Sequence, residues 1–332
     1  MFSIREEISN LNLGQPQSFR GLTLFPLFQP QAAYSDSPGY AFLDEAIAAG
    51  TARVTELHES GSVPELRFEN RGHLPVLLLD GQELIGAKQN RVLNLTILAP
   101  AKSTIVIPVS CVEAGRWQST SADFKPADRV MYSRVREAHV AHVTASMRSS
   151  GTRRSDQGAV WDDIATMACK LNAESPTGAM SAIYERNALS VEEYSRTFHP
   201  HPDQCGVAFC LASGRSGMDL FDHPSTMRHF FPKLVRSCAL DALDEDSTDT
   251  PKPDAVRELL VHIAGAQEFA EPAVGLGKDV RLTSRGFTGA ALWAEDHYVH
   301  LCAFSASANA NATGDLFSRV ARPFRRSKQR HR

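Results

Sequence analysis

Length, composition and charge exclude several classes of protein for this chain. Its 332 residues suffice for one large domain or two ordinary ones. A hydrophobic content of 42% and a charged content of 22% are typical of a soluble globular protein. A chain of this size buries enough apolar surface to fold without disulfides or structural metals. The net charge of −3 argues against general binding of nucleic acid.

The cysteines and the N-terminus predict a cytoplasmic protein. The six cysteines are scattered and form no C-x-x-C pair. Most stand in apolar contexts, such as VSCV around Cys111, which is typical of buried free thiols in a reducing compartment. The segment MFSIREEISNLNLG lacks the basic region and apolar run of a signal peptide. No apolar run approaches the roughly 20 residues that span a bilayer, so we expect no membrane partner.

Residues 1–18 form a lead-in, and residues 19–117 are predicted to be a β-rich half. Val, Ile, Leu, Thr and Phe concentrate there in six runs, with Gly, Pro and Asn between them. We expect these runs to form sandwich-like antiparallel sheets. A helix at Tyr40–Ala49, which ends in a glycine cap, interrupts them. The predicted strands are Leu22–Phe28, Ala52–Leu57, Glu65–Asn70, Pro75–Asp80, Arg91–Leu98 and Ser103–Glu113.

Residues 118–304 are predicted to be a half of helices and β-hairpins. Pro126–Arg148 is rich in Ala, Arg and His with few apolar anchors, which is typical of an exposed helix, and Ser149–Asp156 is a polar loop. A helix at Val160–Leu171 follows from its apolar spacing. Ser175 and Pro176 have the chemistry of a helix start, and Ser190–Glu193 has capping-box spacing.

The final third of this half completes the predicted organisation. We expect both halves to pack as a single compact α+β unit over 19–304, followed at 305–332 by a disordered basic tail. The predicted helices are Ser225–Leu243 and Pro253–Ala264, and the predicted strands are Gly206–Ser213, Gly217–Phe221, Asp279–Ser284, Gly289–Ala294 and Tyr298–Phe304.

A dense polar group lies between two β-like runs in Leu78–Trp117. A sheet needs only turn residues between its strands, so this excess of polar side chains predicts a functional site. Ile107, Val109 and Cys111 share one strand face, with Glu113 in the same register, and an antiparallel partner strand would bring Arg91 near Glu113. The polar residues are Asp80, Gln82, Glu83, Lys88, Gln89, Asn90, Arg91, Glu113, Arg116 and Trp117.

The chemistry of this group favours a phosphorylated, nucleotide-like ligand. Asp80, Glu83 and Glu113 are candidate general acids or bases, or ligands of a divalent metal, so the cofactor stays open. Lys88, Arg91 and Arg116 suit phosphate groups, and the side chains of Gln89, Asn90 and Trp117 suit a base or ribose. Whether the protein is an enzyme or a sensor also stays open. The alternative is a non-catalytic interaction or structural module, whose polar segment closes a sheet edge or docks a partner.

Other candidates are weaker. Asp219 stands between Met218 and Leu220, where burial would require a partner, and we count it as a ligand-binding candidate. Asp222 has the position of a helix cap, and His300 that of a satisfied histidine within a sheet. The basic tail Ser318–Arg332 offers a contact for nucleic acid. Four further residues are of metal-competent types but fit no common zinc spacing: His199, His201, Cys205 and Cys210.

Five motifs carry a resemblance to a known family. They are DGQELIGAKQNRVLN, IPVSCVEAGRW, SPTGAM, GMDLFD and TGAALWAEDHYVHLCAF. With them, the chain resembles the ARG and rhodanese-phosphatase-superfamily-associated protein domain family over roughly Phe19–Phe304. The family is associated with ADP-ribosylglycohydrolases and with rhodanese- and phosphatase-type proteins. The resemblance therefore implies metabolism of ADP-ribose or other NAD-derived compounds.

The family pattern falls on much of the polar group. One departure is Gln82, where the family often has a second acid, and this weakens the case for a metal. The matching positions are Asp80, Glu83, Lys88, Gln89, Asn90, Arg91, Cys111, Glu113, Arg116 and Trp117.

Overall fold

The structure is a computed structural model that describes residues 4–29, 34–35, 37–58, 60–247, 249–251 and 254–305. The predicted basic tail lies outside these residues, apart from Ser305. The described helices are α1 (Ile4–Ser9), α2 (Leu43–Ala48), α3 (Ser133–Ser150), α4 (Gln157–Lys170), α5 (Met180–Arg186), α6 (Ala188–Thr197), α7 (Pro224–Glu245) and α8 (Asp254–Ala264).

The strands fall in two groups along the chain. The first group is β1 (Asn12–Leu13), β2 (Gln17–Phe19), β3 (Leu22–Phe28), β4 (Ala41–Phe42), β5 (Ala52–Glu56), β6 (Glu65–Asn70), β7 (Val76–Leu78), β8 (Gln82–Gly86), β9 (Arg91–Leu93), β10 (Ile97–Ala99), β11 (Ser103–Cys111) and β12 (Asp123–Val130). The second group is β13 (Gly206–Leu211), β14 (Ser216–Phe221), β15 (Gln267–Pro272), β16 (Lys278–Ser284), β17 (Phe287–Ala294) and β18 (His297–Ser305). The α+β class is as predicted.

Five strands of the N-terminal half and β12, from the start of the C-terminal half, close into a barrel in the order β11-β6-β5-β12-β8-β9. This corrects the expectation of sandwich-like sheets. The expectation failed because β12 includes Pro126–Val130, which we assigned to a helix, and β12 is the strand that joins β5 to β8. A closed barrel has no free sheet edge. Its interior is apolar and is filled by Val54, Leu66, Phe68, Leu84, Leu93, Ile107, Val109 and Phe124.

A nine-stranded sheet joins the two ends of the chain, because β3 of the N-terminal half pairs with β13 of the C-terminal half. The C-terminal half is therefore more than helices with separate hairpins, since its strands β13–β18 all belong to this sheet. β15 was not predicted, because its residues are mostly exposed and lack apolar alternation. The predicted strand Arg91–Leu98 is divided between β9 in the barrel and β10, which pairs with β7 in a three-stranded sheet.

Helix α3 is buried, and our prediction of an exposed helix was wrong. Arg136, Glu137 and His139 are buried beside apolar residues such as Val140 and Val143. Charged residue types at these positions suggested a solvent-facing helix, but Arg136 and Glu137 form ion pairs with distant segments inside the protein, and His139 is uncharged. Two further expectations also failed. Helix α5 begins at Met180 rather than at Ser175, and Ser190 lies inside α6 rather than at its start.

The main hydrophobic core lies between the outer face of the barrel, the helices and the nine-stranded sheet. It includes Val92 and Val130 from the barrel, Phe209 from the sheet and Phe230 from α7. This packing brings loops of the barrel against α3 and against the face of the sheet. Among the described helices, none combines the length and the apolar character that crossing a membrane requires.

Candidate functional site

One end of the barrel collects most of the predicted polar residues. The loop after β8 carries Lys88, Gln89 and Asn90, and β9 begins at Arg91. The loop after β11 carries Glu113, Arg116 and Trp117. We call this region the barrel mouth and define it as Glu56, Gly61, Lys88, Gln89, Asn90, Arg91, Cys111, Glu113, Arg116 and Trp117.

Arg91 is buried within the barrel mouth. It lies two residues before Leu93, so its side chain is on the inward face, and it pairs with Cys111 of β11. Its exposed fraction is 0%. Nη1 donates to Gln89 Oε1 at 3.1 Å, but Nε and Nη2 have no hydrogen-bond partner among the described residues. Burial lowers the pKa of Arg91, although the neighbouring Cys111 and Glu56 oppose this effect. An arginine remains protonated under such conditions, so a buried cation here has unused donors.

Trp117 and Lys88 cover this guanidinium. The ring of Trp117 lies 5.8 Å from Arg91 Cζ, and Lys88 Nζ lies 5.5 Å from the same ring. Trp117 is 49% exposed, so one side of the indole faces solvent. Gly61 packs against both, since a Cβ there would approach Trp117 Cζ2 to 3.2 Å and its φ is +80°. The cover is thus a large aromatic surface with two cations close to its ring.

Glu113 and Arg116 tie the loops of the barrel mouth together. Arg116 Nη2 donates to Glu113 Oε2 at 2.6 Å, and the backbone N–H of Asn90 donates to the same oxygen at 3.1 Å. Gln89 Nε2 donates to the Glu113 carbonyl at 3.0 Å. Burial opposes ionisation of Glu113, but the hydrogen bonds from Arg116 and the Asn90 backbone, together with the charge of Arg116, outweigh burial and lower the pKa of Glu113. The register pairs Arg91 with Cys111, two residues before Glu113, so Glu113 is near enough for its charge to act on Arg91, but its ion pair is with Arg116.

Asp80 and Asp219 lie elsewhere, in a group that we call the interior cluster: Asp80, Thr96, Arg136, His139, Asp219, Arg281, His300 and Cys302. Arg136 donates to Asp219 through Nη1 and Nη2, at 3.0 and 2.7 Å. Burial would raise the pKa of Asp219, but Arg136 outweighs it and holds the pKa below its usual range. Asp219 is therefore a buried anion, and Arg136 is the partner that its burial was predicted to require.

A hydrogen-bonded chain continues from Asp219 to His300 and Thr96. His300 Nε2 lies 3.1 Å from Asp219 Oδ1, and Nδ1 lies 2.8 Å from Thr96 Oγ1. Because Asp219 is anionic, Nε2 carries the proton, and the Thr96 hydroxyl then donates to Nδ1. His300 is thus satisfied at both ring nitrogens, as predicted.

Asp80 borders a small cavity in the interior cluster. Burial raises its pKa, although Arg136, 3.5 Å from Oδ2, opposes this effect. Its Oδ1 has no hydrogen-bond partner among the described residues. The cavity is lined by Thr96, Arg281 and His300 among others, and leaves about 10 Å³ for the centre of a water molecule, which is room for one.

Glu83 occupies a third place, on the outside of the barrel. It is fully buried, its partner is Arg129, and Arg129 Cζ lies 5.5 Å from the ring of Tyr184. Burial raises the pKa of Glu83, and Arg129 offsets part of this. Gln82, on the neighbouring position of β8, is also buried. The predicted acids Asp80, Glu83 and Glu113 therefore contact three different sets of partners.

The remaining predictions have simple outcomes. His223, and not Asp222, caps α7 through its side chain, while Asp222 accepts a hydrogen bond from Tyr40 at 2.6 Å. Cys205 and Cys210 are buried thiols. Within the described part of the chain, no group of three or more His, Cys, Asp or Glu is placed to hold a metal ion.

Sequence reasoning missed Arg136, His139 and Thr96 in the interior cluster and Glu56 at the barrel mouth. Arg136 is 83 positions from Asp219 along the chain, so no local spacing links them. The available signal for Glu56 was its parity with Val54, which places both on the inward face of β5.

No curated protein and no solved structure gives a significant match to the chain. One family model does match, over residues 10–304, and it covers both the barrel mouth and the interior cluster. The chain therefore belongs to the ARG and Rhodanese-Phosphatase-superfamily-associated Protein domain family.

Proposed function

We propose that this protein binds a small phosphorylated, nucleotide-like ligand at the barrel mouth. The observation that carries the proposal is Arg91, a fully buried guanidinium whose Nε and Nη2 have no partner among the described residues. An unsatisfied buried donor costs about 1–3 kcal/mol, so a native protein rarely keeps one without a use. A phosphate oxygen pair matches the fork formed by Nε and Nη2.

The surroundings of Arg91 suit the other parts of such a ligand. Trp117 offers a half-exposed ring on which a base can stack, and Lys88 adds a second cation at the same ring. Trp117 covers Arg91, so binding requires its ring to move aside or to become the stacking surface. An ADP-ribose-like or other NAD-derived compound combines a base, riboses and phosphates, and the family's name associates it with proteins of that chemistry.

Binding is the function that this geometry supports best, and we assign no reaction to it. Glu113 is the one predicted acid at the barrel mouth, and its Oε2 already accepts hydrogen bonds from Arg116 and Asn90. A catalytic role for Glu113, Asp80 or Glu83 stays a prediction, as does a divalent metal. The interior cluster has room for one water, so it does not accommodate a nucleotide in this conformation.

The test is a calorimetric titration with ADP-ribose, its phosphorylated forms and NAD, with and without Mg²⁺. Arg91→Gln is expected to weaken binding by at least about tenfold, because it removes a charge-assisted contact. The matched control is Arg67→Gln, an exposed arginine on the outer face of neighbouring β6. If none of the ligands binds, the proposal is wrong, and the alternative of a non-catalytic interaction or structural module is then favoured. Normal binding by a folded Arg91→Gln variant would remove the site assignment.

A further inference from the structure

Glu56 is a half-buried residue that brings a second buried charged group, its carboxylate, to the barrel mouth, and the contacts between Glu113, Arg116 and the loops do not use it. It ends β5 on the inward face, two residues after Val54. Both carboxylate oxygens are buried, and neither has a hydrogen-bond partner among the described residues. Glu56 is near enough for its charge to act on Arg91, yet the two side chains form no hydrogen bond with each other. An unpaired acceptor of this kind is costly unless something occupies it.

The barrel places Glu56 and Arg91 on opposite sides of one opening. In the closed ring, β5 and β9 are separated by β6 and β11 in one direction and by β12 and β8 in the other. Both side chains project inward at the same end, since β5 ends there and β9 begins there. A ligand that fills the opening therefore meets a cation with free donors on one side and a carboxylate with free acceptors on the other.

We propose that Glu56 binds the neighbouring hydroxyls of a ribose whose phosphate is bound by Arg91. This proposal rests on the proposed function above and adds the sugar to it. A carboxylate accepts two hydrogen bonds side by side, which matches a vicinal diol, and acidic residues serve this purpose at other ribose sites. The negative charge of Glu56 repels phosphate, so the two residues together fix the ligand's orientation across the mouth.

The probes for the test are inorganic phosphate, ribose 5-phosphate and 2-deoxyribose 5-phosphate, measured by calorimetry. The wild-type protein is expected to bind ribose 5-phosphate at least about tenfold more tightly than the deoxy sugar, as expected for losing a hydrogen bond to a charged group. Glu56→Leu is expected to abolish this preference and to bind inorganic phosphate at least as tightly as the wild type. Glu56→Gln, which preserves shape and some hydrogen bonding, is expected to show a reduced preference.

The matched control is Glu65→Gln, which changes a carboxylate at the same end of the barrel but beside the inward-facing Leu66 and so on the outer face. It is expected to keep the wild-type preference. Equal binding of both sugars by the wild type would overturn the ribose assignment and leave the phosphate site standing. Failure to bind all three probes would overturn the proposed function itself. If Glu56→Leu does not fold, an unchanged preference in folded Glu56→Gln contradicts the proposal.

Discussion

The pKa and the free hydrogen-bonding groups of a buried charged residue in this protein depend on its partners rather than on its residue type. Asp219 is a stable anion because Arg136 contacts both of its oxygens. Asp80, with a more distant cation, has a raised pKa. Arg91 forms no ion pair with a carboxylate of the described residues, and its Nε and Nη2 have no hydrogen-bond partner among them. The unpaired residue, and not the well-paired ones, is therefore the better indicator of a binding site.

His139 provides a prediction at the residue scale. Burial lowers its pKa to about 3, and the positive charges nearby add to this effect, so it is neutral at pH 7. The unfolded chain takes up a proton near pH 6.5, and the folded protein does not. Its contribution to the free energy of unfolding is therefore complete above pH 6.5 and falls as the pH falls toward 3, by about 2 kcal/mol at pH 5.

Urea unfolding at pH 7 and pH 5 measures this loss. Asp219, whose pKa is lowered by folding, also makes the protein less stable as the pH falls. The informative quantity is therefore how much less free energy of unfolding a His139 variant loses than the wild type. Between pH 7 and pH 5, the free energy of unfolding of His139→Gln is expected to fall by about 2 kcal/mol less than that of the wild type. Equal losses in the two proteins would contradict a neutral buried His139.

At the scale of elements, the pattern of apolar residues predicted strands reliably, whereas the presence of charged residues did not predict which helix faces are exposed. β3 and β6 have the predicted bounds, because alternating or continuous apolar residues mark a strand whatever surrounds it. α3 was misjudged, because buried Arg136, Glu137 and His139 have the same residue types as a solvent-exposed face. β12 was missed because its four charged residues and Pro126 do not resemble a strand.

The start of α4 gives a prediction at this scale. Asp156 is its N-cap, and its side chain accepts a hydrogen bond from the Ala159 amide at 3.1 Å. Asp156→Ala is expected to lower the free energy of unfolding by about 1 kcal/mol, because it leaves that amide without its partner. Asp162→Ala, an exposed acid within the same helix, is the control and is expected to change stability by less than about 0.5 kcal/mol. A similar effect of both changes would contradict the capping role.

At the scale of the whole molecule, the interior cluster joins parts that are distant in sequence. Asp80 belongs to the turn before barrel strand β8, Arg136 to α3, and Asp219 to β14 of the nine-stranded sheet. Each part alone would bury an unpaired charge. Their ion pairs form only when all three are assembled, so this cluster favours one arrangement of barrel, helix and sheet.

Arg136→Met is therefore expected to lower the free energy of unfolding by about 3–5 kcal/mol, because it leaves Asp219 buried without its cation. The double variant Arg136→Met with Asp219→Asn is expected to recover part of this loss, since Asp219 then no longer leaves a buried carboxylate without its cation. Guanidinium unfolding followed by circular dichroism and by tryptophan fluorescence measures both effects. A loss below about 1 kcal/mol, or a double variant less stable than the single one, would contradict this role.

The polar segment Leu78–Trp117 shows how far the candidate site was predictable. The seven residues from Lys88 to Trp117 that we singled out do assemble at one end of the barrel, since they occupy consecutive strand ends. Asp80 and Glu83 precede them closely in sequence but contact Arg136 and Arg129 instead. Asp80 lies in the turn before β8 and Glu83 is on the outer face of β8, so neither side chain reaches the barrel mouth. These two positions cannot be deduced from the sequence when the partner strands are unknown.

The sequence by itself determined the α+β class, most of the strands and the family, and it predicted a functional site in the segment before Trp117. These depend on local composition and on the order of residues, which are visible along the chain. Only the tertiary structure decided that the strands close into a barrel and that Arg136 pairs with Asp219. It also decided that Arg91 and Glu56 lie on opposite strands of the barrel with donors and acceptors that no described residue uses. Contacts between distant segments depend on which surfaces pack together, and packing is a property of the assembled molecule.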